Sequence, residues 1–441
     1  MNHPLRNPQF RRLFAAQILS LTGVGILTVS LALSAYDFGG ISLGGTILGG
    51  ILALKMVAYV LVSPVAEAAL SHYPRRPVLA MIDLMRMGIV ALMALAVGPW
   101  QVAGLAFVFF AFASGFTPLF QSVIADMIPD EAEYARALAL SRLAYTLESI
   151  LSPVIAALAL NLIAPGQLFF LASLSFAGSI VMLMLTRFPA LVATAKTPFR
   201  QRLPRGLRIY LRTPRLRGLW LMQFALSLMM AWVLVNSVIY AAAHFETGVE
   251  FYPRLMTCYG MGAAVLALLV PRLLDHASER RIMTLGVVIF AALGALVLLS
   301  PGETGALVLW FGFGAAASLV LTPGGLIITR SSTSENRPAV FAAQFALSHA
   351  GWLLAYPAAG LLGAAVGPAP AMAGLCIAAL LTLVLAARVW VAEPPAGLVH
   401  EHPELPEGHP HLREHYAQGH RHRHRYFIDD LHPHWPGSTT A

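Results

Sequence analysis

The stretch Asn7-Pro8-Gln9-Phe10-Arg11-Arg12-Leu13, leading into the apolar run 14–36, decides how this chain is read, because it occurs twice. Its second copy is Thr213-Pro214-Arg215-Leu216-Arg217-Gly218-Leu219, offset by 206 residues, and Gln17 behind the first copy meets Gln223 behind the second. Later anchors hold the register. Ser71-His72 meets Asp275-His276 and Pro153 meets Pro357 at an offset of 204, and Thr117-Pro118 meets Thr322-Pro323 at 205. Self-similarity on this scale predicts two structural repeats rather than one continuous fold.

Outward from that start, apolar runs fall at 14–36, 43–66, 78–97, 103–124, 138–160, 168–185, 219–241, 251–273, 282–299, 306–328, 339–366 and 371–391. Most approach or exceed the ~20 residues that carry an α-helix across ~30 Å of hydrocarbon. The composition, 58% hydrophobic and 11% charged, agrees and excludes an ordinary soluble enzyme. The expected fold is therefore all-α and integral to a membrane, with twelve transmembrane helices in two pseudo-symmetric six-helix bundles. The domains read as an N-terminal half 1–186, a basic linker 187–217, a C-terminal half 218–392 and a histidine-rich tail 393–441. Parallel repeats of this kind are an arrangement of secondary transporters, whose substrate binds near the midplane where the halves face each other.

An even number of crossings puts both termini on one side. Twenty basic residues then fall on that side, including nine from Arg187 to Arg217, against Arg254 alone on the other. Short basic loops resist translocation, so the termini are expected in the cytoplasm and the chain in the cell inner (plasma) membrane. The net charge of +8 is topological, and no nucleic-acid footprint is read into it. The first apolar run is too long for a signal h-region and is expected to stay as the first helix. Cys258 and Cys376 sit singly in apolar runs, so neither disulfide nor thiolate metal site is implied.

Over residues 5–392 the chain resembles the major facilitator superfamily. The turn Ser71-His72-Tyr73-Pro74-Arg75-Arg76-Pro77 occupies the place of that family's Asp-Arg-x-Gly-Arg-Arg signature, and Asp275-His276-Ala277-Ser278-Glu279-Arg280-Arg281 occupies its counterpart. The second copy matches better; the first has Ser71 for the acid and Pro74 for the glycine, with Glu67 and Asp126 as substitutes for the missing carboxylate. The resemblance makes Arg75, Arg76, Asp275, Arg280 and Arg281 gating residues. The antiporter signature is reduced to Ser152-Pro153 with Ala156 and Ala157, and the fourth run carries no arginine for a proton relay. Asn7 to Phe14 and Phe116-Thr117-Pro118 look most like the bacterial efflux branch of drug and siderophore exporters, and the tail looks like that of nickel-resistance exporters.

A charge at mid-bilayer costs about 2.5–3.5 kcal/mol on insertion scales, so ionisable residues inside the runs are site candidates. Lys55, Glu148 and His349 lie about ten to twelve residues into their runs, near ~15–18 Å depth. Asp37 closes the first run at the outer surface. A carboxylate and an imidazole suit proton exchange or a borderline metal such as Ni²⁺. The alternative is a structural ion pair of Lys55 with Glu148, with His349 as helix–helix glue. Asp83, Arg86 and Arg142 are expected to snorkel into a structural network near the basic face. Gln223, Gln344, Asn236, Tyr59 and Tyr356 fit a polar path or helix–helix glue equally.

From Glu393 the composition changes. Ten of fifteen histidines fall in the last 49 residues, among prolines, glycines and charges, a composition that predicts disorder. His400/His402, His409/His411, His420/His422/His424 and His432/His434 are spaced to present imidazole pairs to Ni²⁺, Zn²⁺, Cu²⁺ or Co²⁺. Tyr426 to Asp430, with Trp435, is the part of the tail apolar enough to dock. His411-x-x-Glu414-His415 spells an inverted zincin motif outside any folded region, so no enzyme activity is expected. The reading is a monomeric, proton-coupled exporter of a divalent metal, nickel first, needing no cofactor. A drug or siderophore exporter is the alternative, and a non-transporting metal sensor a second one.

Overall fold

A computed structural model describes residues 4–70, 73–128, 131–188, 199–333, 336–391, 398–401, 406, 412, 420–424, 426–428, 431–432 and 435. Within these, the N-terminal half holds α1 (Pro8–Leu70), α2 (Arg75–Met93), α3 (Pro99–Met127), α4 (Glu131–Ala159) and α5 (Leu168–Leu185). A linker helix, α6, spans Phe199–Arg212. The C-terminal half holds α7 (Pro214–His244), α8 (Tyr252–Leu274), α9 (Glu279–Leu296), α10 (Glu303–Leu321), α11 (Gly324–Arg330), α12 (Arg337–Val366) and α13 (Pro368–Val389).

These helices give two sets of six crossings. α1 crosses twice, because Gly40 takes φ 57°, ψ −154°, a conformation open to a residue without Cβ, and splits it into arms 8–39 and 41–70. α10 and α11 are one crossing interrupted at Thr322-Pro323. Proline has no N–H to continue the helical ladder. Among the described residues nine helices are long and apolar enough to span a membrane. α2 falls outside that set because Arg75, Arg76, Asp83 and Arg86 interrupt it; α4 carries five charged residues, Glu148 among them.

Gln9 accepts from the Arg187 amide at 2.7 Å, Arg12 donates to Leu185 O at 2.7 Å, and Arg280 donates to Trp390 O at 3.1 Å. These bonds, with Trp390 packed on Gly218 of α7, gather the first and last helix ends of both halves on one face, the terminal face. Gly40 and Gly367 mark the opposite face.

Between the halves, α1 packs on α12 and α4 on α8. By the repeat register these are the same contact made twice, the second crossing of one half against the fifth of the other. Towards the opposite face the α1–α12 seam is tight: the Thr46 hydroxyl donates to Gly360 O at 3.3 Å, and a Cβ on Gly49 would lie 2.7 Å from Tyr356 O. Asn236 of α7 adds a bond to Ala359 O at 2.9 Å. The seam is thus closed at that end.

The linker is more than a basic loop. Gly206, Ile209 and Tyr210, at helical spacing, form the buried side of α6, which packs on α12, while Arg205, Arg208 and Arg212 stay exposed. Gly206 lies on the Ala339 carbonyl with no room for a Cβ. In the tail, Leu398–Glu401 (β1) pairs antiparallel with Arg421–His424 (β2), His400 opposite His422. Tyr426, Ile428 and Trp435 are buried with the main apolar cluster, the docking that their apolar character allows. His402, His409, His411 and His434 lie outside the described residues, as do Ser71 and His72.

Candidate transport site

Three mid-run ionisable residues come together at the seam. Lys55 lies fifteen residues past Gly40, about 22 Å along its arm, and its Nζ sits 5.2 Å from the Phe110 ring and 5.8 Å from the Tyr59 ring. It interacts electrostatically with Glu148 of α4 and with His349 of α12. Tyr59 completes the link across the halves, its ring 5.4 Å from the His349 imidazole. His349 Nδ1 is 2.7 Å from Phe345 O; a carbonyl only accepts, so Nδ1 carries the hydrogen and Nε2 is the nitrogen left to accept.

Glu148 is seated by a glycine. Its Oε1 and the Ser152 hydroxyl occupy the volume that a Cβ on Gly25 would take. Ser152 also reaches Thr22 O at 3.4 Å, fixing α4 against the first arm of α1. Nothing in the sequence singled out Gly25, since a glycine in an apolar run carries no label for what lies opposite.

Asp37 stands apart, exposed three residues before the Gly40 break. Of the residues that the resemblance makes gating, Arg76 and Arg280 bond within their own halves. Arg76 donates to Met184 O, and Arg280 to Ala387 O at 2.9 Å and to Trp390 O, so both arginines hold helix C-termini. Asp275 and Arg281 are exposed, and Arg281 N donates to Ser278 Oγ at the start of α9. Arg75 is half-buried, with its Nε sealed and unbonded among the described residues. Glu279, outside the gating set that the resemblance implies, pairs with Arg330 and ties α9 to α11.

Asp83 and Arg86 do not snorkel. They are 0% and 3% exposed and paired at 2.7 Å inside the N-terminal half. Ser179 donates to Asp83 Oδ2 at 2.7 Å, and Arg86 donates to Ser20 at 2.8 Å with its guanidinium 4.5 Å from the Phe176 ring. The aromatic faces and hydroxyls replace the water that snorkelling would have supplied.

A separate cavity of about 260 Å³ lies in the C-terminal half between α7, the end of α10 and α12. Trp220, Gln223, Phe224, Ser227, Gln344 and Trp352 line it. Among the described residues no three His, Cys, Asp or Glu side chains are placed to hold a metal ion.

A family model described as Major Facilitator Superfamily matches residues 13–252 and again 219–427, two overlapping matches whose starts are one repeat apart. Comparison with curated protein sequences gives no match. Solved structures share the fold. The nucleoside transporter NupG superposes with TM-score 0.72 at 11% identity, over 87% of this chain and 100% of its own. A bacterial homologue of the human lysosomal transporter Spinster, inward-facing and unoccupied, gives 0.67 at 14%, over 88% and 97%. A POT family transporter in complex with 5-aminolevulinic acid gives 0.69 at 10%, over 86% and 96%. With twelve crossings, a twofold repeat and a family match along most of its length, this multi-pass chain belongs to the major facilitator superfamily of transporters.

Proposed function

We propose that this chain is a proton-coupled secondary transporter working by alternating access, with Glu148 as the group that carries the proton. The observation behind the reading is the seating of Glu148. It is fixed against Gly25 and Ser152 of its own half, in the field of Lys55, which in turn faces His349 of the other half. Protonating Glu148 removes the counter-charge of Lys55 and changes the electrostatic tie across the α1–α12 seam. A proton thereby biases a two-state element, as alternating access requires.

In this reading the terminal face is cytoplasmic, the membrane is the inner (plasma) membrane and the protein works as a monomer. Net transport is export driven by proton entry, the direction implied by the resemblance to the efflux branch. Lys55 turns the cargo away from a bare dication, because an ammonium sharing the field of Glu148 and His349 repels a second cation there. An organic solute is favoured, as in the drug or siderophore alternative. Nickel export is a second reading, supported by the register of His400 opposite His422 across β1 and β2. Under it, truncation before Pro394 lowers cellular nickel tolerance; under the organic reading it does not. A metal sensor would leave cellular metal content unchanged in either strain.

The coupling is tested without knowing the cargo. Spin labels at Ser42→Cys and Leu361→Cys, both exposed beside the closed end of the seam, go into a Cys258→Ser/Cys376→Ala background. Distance distributions are compared in acid and alkaline buffer. The expected result is a pH-dependent exchange between two distances. Glu148→Gln, neutral at every pH, stays at the acid distribution throughout. A wild type that ignores pH, or a Glu148→Gln variant that titrates like it, sinks the reading.

A further inference from the structure

The cavity in the C-terminal half has a polarity set from outside it. Tyr210, fully buried on linker helix α6, donates its hydroxyl hydrogen to Gln344 Oε1. With its oxygen on that hydroxyl, the Gln344 amide turns its nitrogen forward, and Gln344 Nε2 donates to Gln223 Oε1 at 2.5 Å. With its oxygen engaged, Gln223 is left with Nε2, which lies against Gly324 and finds no acceptor among the described residues. The two serine hydroxyls of the cavity give their hydrogens to their own helices, Ser227 to Phe224 O at 2.8 Å and Ser348 to Phe345 O at 2.9 Å. Trp220 likewise donates to Leu347 O at 3.0 Å. Gln223 Nε2 is therefore the lining donor with neither hydrogen engaged, and the second hydrogen of Gln344 Nε2 and the Trp352 indole N–H are further donors without an acceptor among the described residues.

The walls are aromatic and carry no charge. Trp220 stacks on Phe224 at 5.8 Å and Trp352 on Tyr356 at 5.0 Å, with Trp220, Phe224 and Trp352 facing the cavity. About 260 Å³ lies just below the ~300–1,000 Å³ typical of ligand pockets. By the repeat register Trp352 occupies the place that Glu148 holds in the N-terminal half. The titratable group and the aromatic wall are thus pseudo-equivalent positions with divided tasks.

We propose that this cavity is a binding site for an uncharged planar molecule bearing a hydrogen-bond acceptor, a carbonyl or ring nitrogen, and that Tyr210 of the linker helix is the positioning residue that makes it select for the acceptor. The site deepens the transport reading by naming its cargo class and rests on that reading for its physiological role. Binding itself does not depend on proton coupling. The linker acts here through a hydrogen-bond chain, Tyr210 to Gln344 to Gln223, and its arginines take no part.

Quinoline and naphthalene have the same shape and differ in one ring nitrogen, while N-methylquinolinium is charged and has no acceptor. Their equilibrium binding to the full-length protein in lipid nanodiscs is read from quenching of tryptophan fluorescence, with Trp220→Phe and Trp352→Phe assigning the signal. One added hydrogen bond to a positioned donor predicts a preference of about tenfold for quinoline over naphthalene, and weaker binding still for the cation. Gln223→Leu lowers the ratio several-fold. Tyr210→Phe, which retains the ring, does the same by freeing the Gln344 amide to turn over, with naphthalene affinity unchanged. Equal binding of quinoline and naphthalene by the wild type, or no saturable quinoline binding, overturns the site. A ratio unchanged in Tyr210→Phe but lost in Gln223→Leu overturns the part given to the linker. Neither result touches the seam measurement on Glu148, which needs no ligand.

Discussion

The two halves of this protein solve the same packing problem with opposite chemistry. In the N-terminal half the contact between α2, α1 and α5 is built from Asp83, Arg86, Ser20 and Ser179, all buried and hydrogen-bonded to one another. By the repeat register their places in the C-terminal half are taken by Val287, Phe290, Leu226 and Leu383, also buried and wholly apolar. Even the aromatic partner is retained. Arg86 lies 5.1 Å from the Phe109 ring, and its counterpart Phe290 lies 4.7 Å from Phe313, the counterpart of Phe109. One fold thus accommodates an ion pair and a hydrocarbon contact at equivalent positions. A buried pair is weak evidence of extra stability, since desolvation offsets most of the attraction. The comparison teaches that Asp83–Arg86 is replaceable as a unit and intolerant of being halved.

That statement gives the largest expected effect. Asp83→Val alone imports the C-terminal residue but leaves the Arg86 charge buried, and should destabilise the protein by about 3–5 kcal/mol in reversible denaturation from detergent micelles. Adding Arg86→Phe completes the exchange. The double variant should unfold near the wild type or above it, by up to about 1–4 kcal/mol. A double variant as unstable as the single one would break the comparison and give the ion pair a task that hydrocarbon cannot perform.

A smaller effect is expected where the halves differ at the candidate site. Gly25 corresponds to Ala231, and Glu148 to Trp352, so the missing methyl in the N-terminal half is what admits the carboxylate. Gly25→Ala places a Cβ on Glu148 Oε1 and Ser152. It should cost about 1–3 kcal/mol of stability by overpacking, and should weaken the pH response of the seam by displacing Glu148. A normal pH response in a folded Gly25→Ala protein would show that Glu148 does not need this seat.

How much of this was legible beforehand follows the kind of signal each residue carries. The twelve crossings and the repeat were plain in the apolar runs, because length and periodicity are properties of the chain itself. Lys55, Glu148 and His349 were legible because a charge inside an apolar run is anomalous wherever it points. Gln223 and Gln344 could be named as polar candidates but not joined, since a helix apolar all round does not show which faces meet. The α6 helix was hidden by Pro204 and its arginines, although Gly206, Ile209 and Tyr210 have helical spacing. Snorkelling was the wrong expectation for Arg86 because depth along a helix says nothing of the serines and phenyl rings that close around it.

The smallest effect concerns a place where both halves use the same device. Arg76 and Arg280 are repeat equivalents, and each donates to carbonyls at the C-terminus of the sixth helix of its half. A cation there answers unpaired carbonyls and the negative end of the helix dipole, worth about 0.3–1 kcal/mol at exposed positions. The halves still differ in detail. α5 receives a second arginine, since Arg12 donates to Leu185 O, whereas among the described residues Arg280 alone serves Ala387 and Trp390. The counterpart of Arg12 is Gly218, and Trp390 packs directly on it. Arg76→Ala should therefore lie at the lower end of that range, because Arg12 remains, and Arg280→Ala at the upper end. Equal losses would mean that the second arginine adds nothing. A larger loss in Arg76→Ala than in Arg280→Ala would reverse the assignment and make the N-terminal turn the one that depends on a single cation.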